Sequence, residues 1–383
     1  MYKIIEKFLH EQKAYNLLRV LRNFESRTKG LIFWNKKKFI DFSSNDYLGF
    51  SDNAYIKKRS IQFIKNYGNS SAASRLLSGD FSYHHKLESA LANLKEKESA
   101  LLFGSGFLAN VGVLPALVTK EDVIFADQYI HASLIDGLQL CHAKFFRFRH
   151  NDANHLELLL KKYRSDYKRA YIVTESVFSM DGDKAPIESL IKLKNRFHSF
   201  LYVDEAHGTG LFGPNGGGYL NELGMSDEID IIMGTLGKAL GSYGAYVAGT
   251  STLKSFLLNR SRPFIFSTSL PPSVVGAALG GVELLKKEPK RRKKVLTLAE
   301  YFRVQLQKIG FQTIGDTQIV PVIIGKAEDS VRLSEKLLEE GFLVLPIRPP
   351  TVPANSSRLR FSLTFYHSKA QIDSVINCLG KNF

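Results

Sequence analysis

The chain has 383 residues, 44% of them hydrophobic and 23% charged, which are the proportions of an ordinary globular protein long enough for a large domain and a smaller one. It contains no apolar run of membrane-spanning length. The opening Tyr2-Lys3-Ile4-Ile5-Glu6-Lys7 lacks the apolar stretch of a secretory signal, and two cysteines (Cys141 and Cys378) make neither a disulfide framework nor a metal-ligand pattern.

Residues 1 to about 30 carry apolar side chains at helical spacing (Ile5, Phe8, Leu9, then Leu17, Leu18, Leu21), predicting an amphipathic arm. A short strand at 39–42 and a loop at 43–49 follow. From about residue 85, helical stretches alternate with buried-strand runs at 100–103, 123–126, 170–173, 200–203 and 229–233. That alternation predicts an α/β fold with a mainly parallel sheet covered on both faces. Asp127, Glu175, Asp204 and Thr235 then stand at its carboxyl edge, where open α/β sheets bind ligands. Beyond the basic run Lys290-Arg291-Arg292-Lys293-Lys294, strands at 311–325, 342–347 and 358–363 and a helix at 330–340 predict a small α+β domain. The expected division is an N-terminal arm with short strands (1–45), a large α/β domain (46–285) and a small C-terminal α+β domain (286–383). The composition fits the cytoplasm, with no membrane partner. The net charge of +15 fits either a solvated surface or an acidic partner, such as a phosphate-bearing substrate or an acidic carrier protein.

The chemistry gathers in two loops. Tyr202-Val203-Asp204-Glu205-Ala206-His207-Gly208 delivers an acid and a histidine from a strand end, and Gly234-Thr235-Leu236-Gly237-Lys238-Ala239-Leu240-Gly241 sets a lysine among small residues after another strand. Pyridoxal-phosphate chemistry needs this set: a lysine for the imine, an acid for the pyridine nitrogen and backbone donors for the phosphate. Phe103-Gly104-Ser105-Gly106-Phe107, between a strand and a helix, suits the phosphate. Each piece alone has a duller reading as a helix cap, a solvated turn lysine or a tight turn. The ordered set is what points to the cofactor. Asp204-Glu205-Ala206-His207 also spells a helicase acidic box, but no phosphate-binding Gly-Lys-Ser/Thr loop accompanies it, so nucleic acid is not an expected partner.

The sequence resembles the α-oxoamine synthases, a fold-type I pyridoxal-phosphate family. The resemblance runs through residues 43–49, Ser105-Gly106-Phe107-x-Ala109-Asn110, His131-Ala132-Ser133-Leu134, residues 177–183 and both loops above. It implies a large domain with a seven-stranded type of sheet between helices. It also implies that Lys238 carries the cofactor and moves the substrate's Cα proton, that Asp204 pairs with the ring nitrogen, and that His131 stacks on the ring. His207 and Ser179 would bond the ring oxygen. Gly106, Phe107 and Thr235 would hold the phosphate, with Ser267 or Thr268 reaching in from the second subunit of a homodimer. Arg360 would grip the amino-acid carboxylate, while Arg19, Asn45 and Thr351 match substrate contacts. Residues 150–152, 267–272 and 347–353 are most similar to the branch that condenses L-alanine with a pimeloyl thioester of coenzyme A or acyl carrier protein. Sister activities using other amino acids and acyl chains, and a catalytically silent partner subunit, stay open. One departure is Ala72-Ala73, where the family carries glycines before the Ser-Arg of a substrate loop.

Overall fold

The computed structural model describes residues 1–382. Two compact units emerge: residues 50–179 and 184–292 form the larger, and residues 1–49, 180–183 and 293 onward form the smaller.

The larger unit is built on seven strands: β1 (Ser99–Phe103), β2 (Val123–Asp127), β3 (Lys144–Phe148), β4 (Ala170–Glu175), β5 (Phe200–Asp204), β6 (Ile231–Thr235) and β7 (Ala245–Gly249). Their order across the sheet is β1-β7-β6-β5-β4-β2-β3. The run from β6 to β3 is parallel, and β7 is antiparallel to both of its neighbours. The expected fold-type I, mainly parallel α/β sheet is therefore present. Every residue of β2 and β4 is buried, as near-continuous apolar runs require when helices cover both faces. Two strands escaped the sequence reading. The run β3 is a half-exposed edge strand with charges at Lys144 and Arg147, and β7 is short and alanine-rich.

Side-chain caps fix where the flanking helices begin. Asn53 accepts the amides of Tyr55 and Ile56, Ser105 that of Leu108, and Asp152 that of His155. The helix Ala132–Leu140 is capped by a histidine, because His131 Nδ1 accepts the Ser133 amide at 3.2 Å.

The smaller unit holds a four-stranded sheet (Ser26–Thr28, Leu31–Trp34, Lys37–Asp41 and Phe342–Leu343) and a three-stranded one (Ile319–Gly325, Ser357–Ser362 and Pro346–Ile347). Phe42 lies between Phe302, Phe361 and the ring of His367, which stacks on it at 4.2 Å. Two local expectations need correction. The N-terminal helix spans only Tyr2–Ala14: Asn16 takes a positive φ of 56°, and the amides of Leu17 and Leu18 fold back to the Gln12 carbonyl. Residues 311–318 are not a strand, since Gly315 turns the chain and Thr313 makes only an isolated bridge to Val322. Among the described residues no helix is long and apolar enough to cross a membrane.

Candidate active site

Parallel pairing brings two acids side by side at the carboxyl edge of the larger unit's sheet, since Glu175 ends β4 in register with Asp204, which ends β5. Asp204 is 4% exposed. Its Oδ1 accepts the Ala206 amide at 2.9 Å, and its Oδ2 accepts Asn110 Nδ2 at 3.0 Å. Asn110 also donates to Ser133 Oγ at 2.8 Å, and that hydroxyl lies 2.8 Å from His131 Nδ1. The predicted acid and the predicted stacking histidine thus belong to one hydrogen-bonded array. Burial lowers the His131 pKa against the pull of Asp204, with the charge of Lys238 adding a smaller push in the same direction as burial, which favours the neutral ring.

The lysine and histidine loops also meet: Lys238 Nζ is 2.8 Å from His207 Nε2. His207 and Ser179 are buried, whereas Phe107 is exposed. Thr235, at the end of β6, has its Oγ1 buried with no hydrogen-bond partner. Beside it is Gly106, where a Cβ would sit 2.7 Å from Thr235 Cγ2; only glycine lets the helix start this close to the strand end. Ser267, Thr268 and Gly104 line one small cavity, and Thr268 bridges Ser74.

In the smaller unit, Arg360 is 7% exposed on the strand Ser357–Ser362. Its Nη1 donates to Asn45 Oδ1 at 3.1 Å and to Ser362 Oγ at 2.7 Å, and the Tyr47 hydroxyl also donates to Asn45 Oδ1. The structure therefore unites two of the four predicted substrate residues. Arg19 and Thr351 lie on exposed stretches of the same unit.

Three features were not foreseen. Glu175 was placed at the sheet edge but given no task. It is 2% exposed with Oε1 unpartnered, and burial, then Asp204, push its pKa well above the usual carboxyl range. Lys95 is 1% exposed and donates to Glu205 Oε2 at 2.6 Å, to Thr209 Oγ1 at 2.8 Å and to the Gly217 carbonyl. No motif marked it. The basic run at 290–294 begins the helix Pro289–Lys308 and is not a uniform charged surface. Arg292 is buried, donating to the carbonyls of Leu285 and Pro214, and Arg291 pairs with Glu288. Lys294 donates to the Phe365 carbonyl at 2.8 Å. Ala72 holds the left-handed region (φ 56°) with its amide on Ser70 Oγ, so the loop keeps a conformation suited to glycine despite the methyl group.

Residues 37–379 match the family of aminotransferases of class I and II. A putative 8-amino-7-oxononanoate synthase of Geobacillus kaustophilus is 44% identical over 97% of this chain and 95% of its own length. The 8-amino-7-oxononanoate synthase of Geobacter sulfurreducens is 42% identical over 100% and 98%. A lysine variant of serine palmitoyltransferase from S. paucimobilis, solved with a bound PLP–myriocin aldimine, superposes with a TM-score of 0.93 at 28% identity, covering 99% of this chain and 96% of that one. A lysine beside a histidine, an acid at the neighbouring strand end and likeness along nearly the whole length agree: this chain belongs to the aminotransferase class I and II family, in its α-oxoamine synthase branch.

Proposed function

We propose that this chain is a pyridoxal 5'-phosphate enzyme that condenses L-alanine with a pimeloyl thioester, releasing carbon dioxide and the free thiol to give 8-amino-7-oxononanoate in biotin biosynthesis. The observation that carries this reading is the 2.8 Å meeting of Lys238 and His207 on the sheet edge that ends in Asp204, in a chain similar throughout to 8-amino-7-oxononanoate synthases.

The residues fit the cofactor. The orphaned Thr235 Oγ1 and the close-packed glycine at the start of the helix Gly106–Leu117 offer a hydroxyl and backbone amides to a phosphate, with Phe107 next in line. Ser267 or Thr268 of the second subunit would add to that grip. When bound, pyridoxal phosphate supplies an electron sink for negative charge developing at the amino acid's Cα. Lys238 would hold the cofactor, and its Nζ would take and return the Cα proton. Asp204, oriented by Asn110 and the Ala206 amide, keeps a proton on the ring nitrogen. His131 would stack on the ring, and His207 and Ser179 would bond the ring oxygen. Arg360, preset by Asn45 and Ser362, grips the alanine carboxylate as a charged fork, with Arg19 and Thr351 as further substrate contacts.

The enzyme works as a cytoplasmic homodimer. Exposed Ile4, Ile5, Phe8 and Leu9 on the N-terminal helix support that assembly. The test is an assay of the purified protein with pyridoxal phosphate. L-Alanine, glycine and L-serine are each offered with pimeloyl, acetyl, succinyl and palmitoyl thioesters of coenzyme A, and with pimeloyl acyl carrier protein. Turnover is expected with L-alanine and a pimeloyl thioester. Preference for another pair transfers the chain to a sister activity, and no turnover with any pair makes it a silent subunit.

A further inference from the structure

Three buried polar side chains converge on the amide of a fourth. Asn110 is 1% exposed, Tyr202 0%, Ser133 1% and Asp204 4%, so each must find its hydrogen bonds inside the protein. Asn110 Oδ1 accepts the Tyr202 hydroxyl at 2.6 Å, while Nδ2 gives one hydrogen to Asp204 Oδ2 and the other to Ser133 Oγ. The amide has one chemically sensible orientation. Flipped, it would set its oxygen against the carboxylate and its hydrogens against the phenol hydrogen.

The consequences run in two directions. Asp204 lies two residues beyond Tyr202 on β5, so both face the same side of the sheet and the amide bridges them across that face. In the other direction, Ser133 Oγ accepts from Asn110 and so has its own proton to give to His131 Nδ1. The Ser133 amide donates to the same nitrogen. With Nδ1 receiving both, the single proton of the neutral imidazole sits on Nε2. We infer that Asn110 is a positioning residue: one side-chain amide orients the Asp204 carboxylate and, by donating to Ser133 Oγ, turns that hydroxyl's proton onto His131 Nδ1 as a second donor beside the Ser133 amide. Asn110 also lies four residues into the helix that starts at Gly106, so the phosphate-suited helix start, the acid and the histidine share one register. The assignment of its purpose rests on the pyridoxal-phosphate reading of the site; the hydrogen-bond logic stands without it.

The test uses enzyme labelled with 15N in histidine, with and without pyridoxal phosphate. The wild type is expected to show the Nε2–H tautomer at His131. Asn110→Ala should release the Ser133 hydroxyl from its set orientation, shifting the His131 Nδ1 resonance, and weaken cofactor binding about tenfold or more by equilibrium dialysis, as loss of a buried charge-assisted bond would. Ser133→Ala keeps the Asn110–Asp204 bond and the amide donor to Nδ1 but loses the hydroxyl donor, so it should shift the His131 Nδ1 resonance within the Nε2–H form while cofactor affinity stays within about threefold. That variant also decides the matter if Asn110→Ala does not fold. A wild-type His131 signature in Ser133→Ala, or wild-type affinity in Asn110→Ala, overturns the inference. If the wild type binds no pyridoxal phosphate, the functional reading fails, while the imidazole signature still judges Asn110.

Discussion

Two lysines flank the loop that follows β5, and they are opposites. Lys95 is 1% exposed, and its three protons go to Glu205, Thr209 and the Gly217 carbonyl. Burial works against its charge, but Glu205 and Tyr246 together offset that, and its pKa is raised. Gly218, at a φ of 124°, leaves the space Glu205 occupies, since a Cβ there would meet Glu205 Oε2 at 2.3 Å. Lys238 is half-buried, and its nitrogen faces the imidazole of His207. A cation with every donor committed inside the protein is a fixed part of the scaffold. A lysine that meets an imidazole is placed for the covalent chemistry proposed above. Glu205 and His207 are two residues apart, so one short loop is anchored to Lys95 through the first and meets Lys238 through the second.

The largest test of that contrast is Lys238→Ala. We expect turnover to fall by at least about a thousandfold, as when a covalent-catalysis residue is removed, with thermal stability nearly unchanged. Lys95→Met should do the reverse. It leaves Glu205 buried without its counter-charge, at a cost of about 3–5 kcal/mol in urea unfolding, and Lys95→Met with Glu205→Leu should recover much of it. If Lys95→Met unfolds like the wild type, Lys95 is not the anchor the contrast makes it.

The same pair shows what the sequence could and could not convey. Lys238, Asp204 and His207 were legible because each follows a strand run closely and the three occur in a recognisable order. The parallel sheet was legible because strands buried on both faces read as apolar blocks. Lys95 was not, and Asn110 stood in a motif of the resemblance without a role, because their partners lie 110 and 94 residues away and nothing local to either signals a buried bond. The first turn of the helix Pro289–Lys308 misled for a related reason. Five basic residues in a row read as surface, yet the carbonyls that bury Arg292 come from Leu285 and from distant Pro214.

A histidine extends the rule to the smaller unit. His367 accepts the Thr364 amide at Nδ1, lies 3.2 Å from the Asp41 carbonyl at Nε2 and stacks on Phe42, so its ring is committed as a neutral group. Burial pulls its pKa down to about 4. The folded pKa is below the unfolded one, so the unfolded chain takes up the proton first. Stability is intact above about pH 6.5 and falls as the pH drops toward 4, by roughly 3 kcal/mol in all from this group. Urea unfolding of wild type and His367→Gln across that window measures it: the variant should be less stable at pH 7 and should show a shallower acid slope. Parallel slopes would mean His367 is not a committed neutral group.

The smallest effect separates two adjacent cations, Arg292 and Lys293. The Arg292 guanidinium is buried against two carbonyls, whereas Lys293 is exposed. Truncating Arg292 to alanine strands both acceptors and should cost about 1–3 kcal/mol, while Lys293→Ala should stay within about 0.5 kcal/mol. For function the ranking inverts. If a basic surface helps to capture a negatively charged acyl carrier, only solvated charges can contribute, and their effect must shrink as salt screens them. Lys290→Ala with Lys293→Ala is therefore the pair to compare with wild type at low and high salt, scoring kcat/KM for the coenzyme A and carrier-protein thioesters. A drop of about two- to fivefold for the carrier-protein substrate, confined to low salt, would give the exposed members of the run a steering role. Equal kinetics at both salt concentrations would leave them as solvated surface and Arg292 as the one residue of that turn whose charge the fold itself requires.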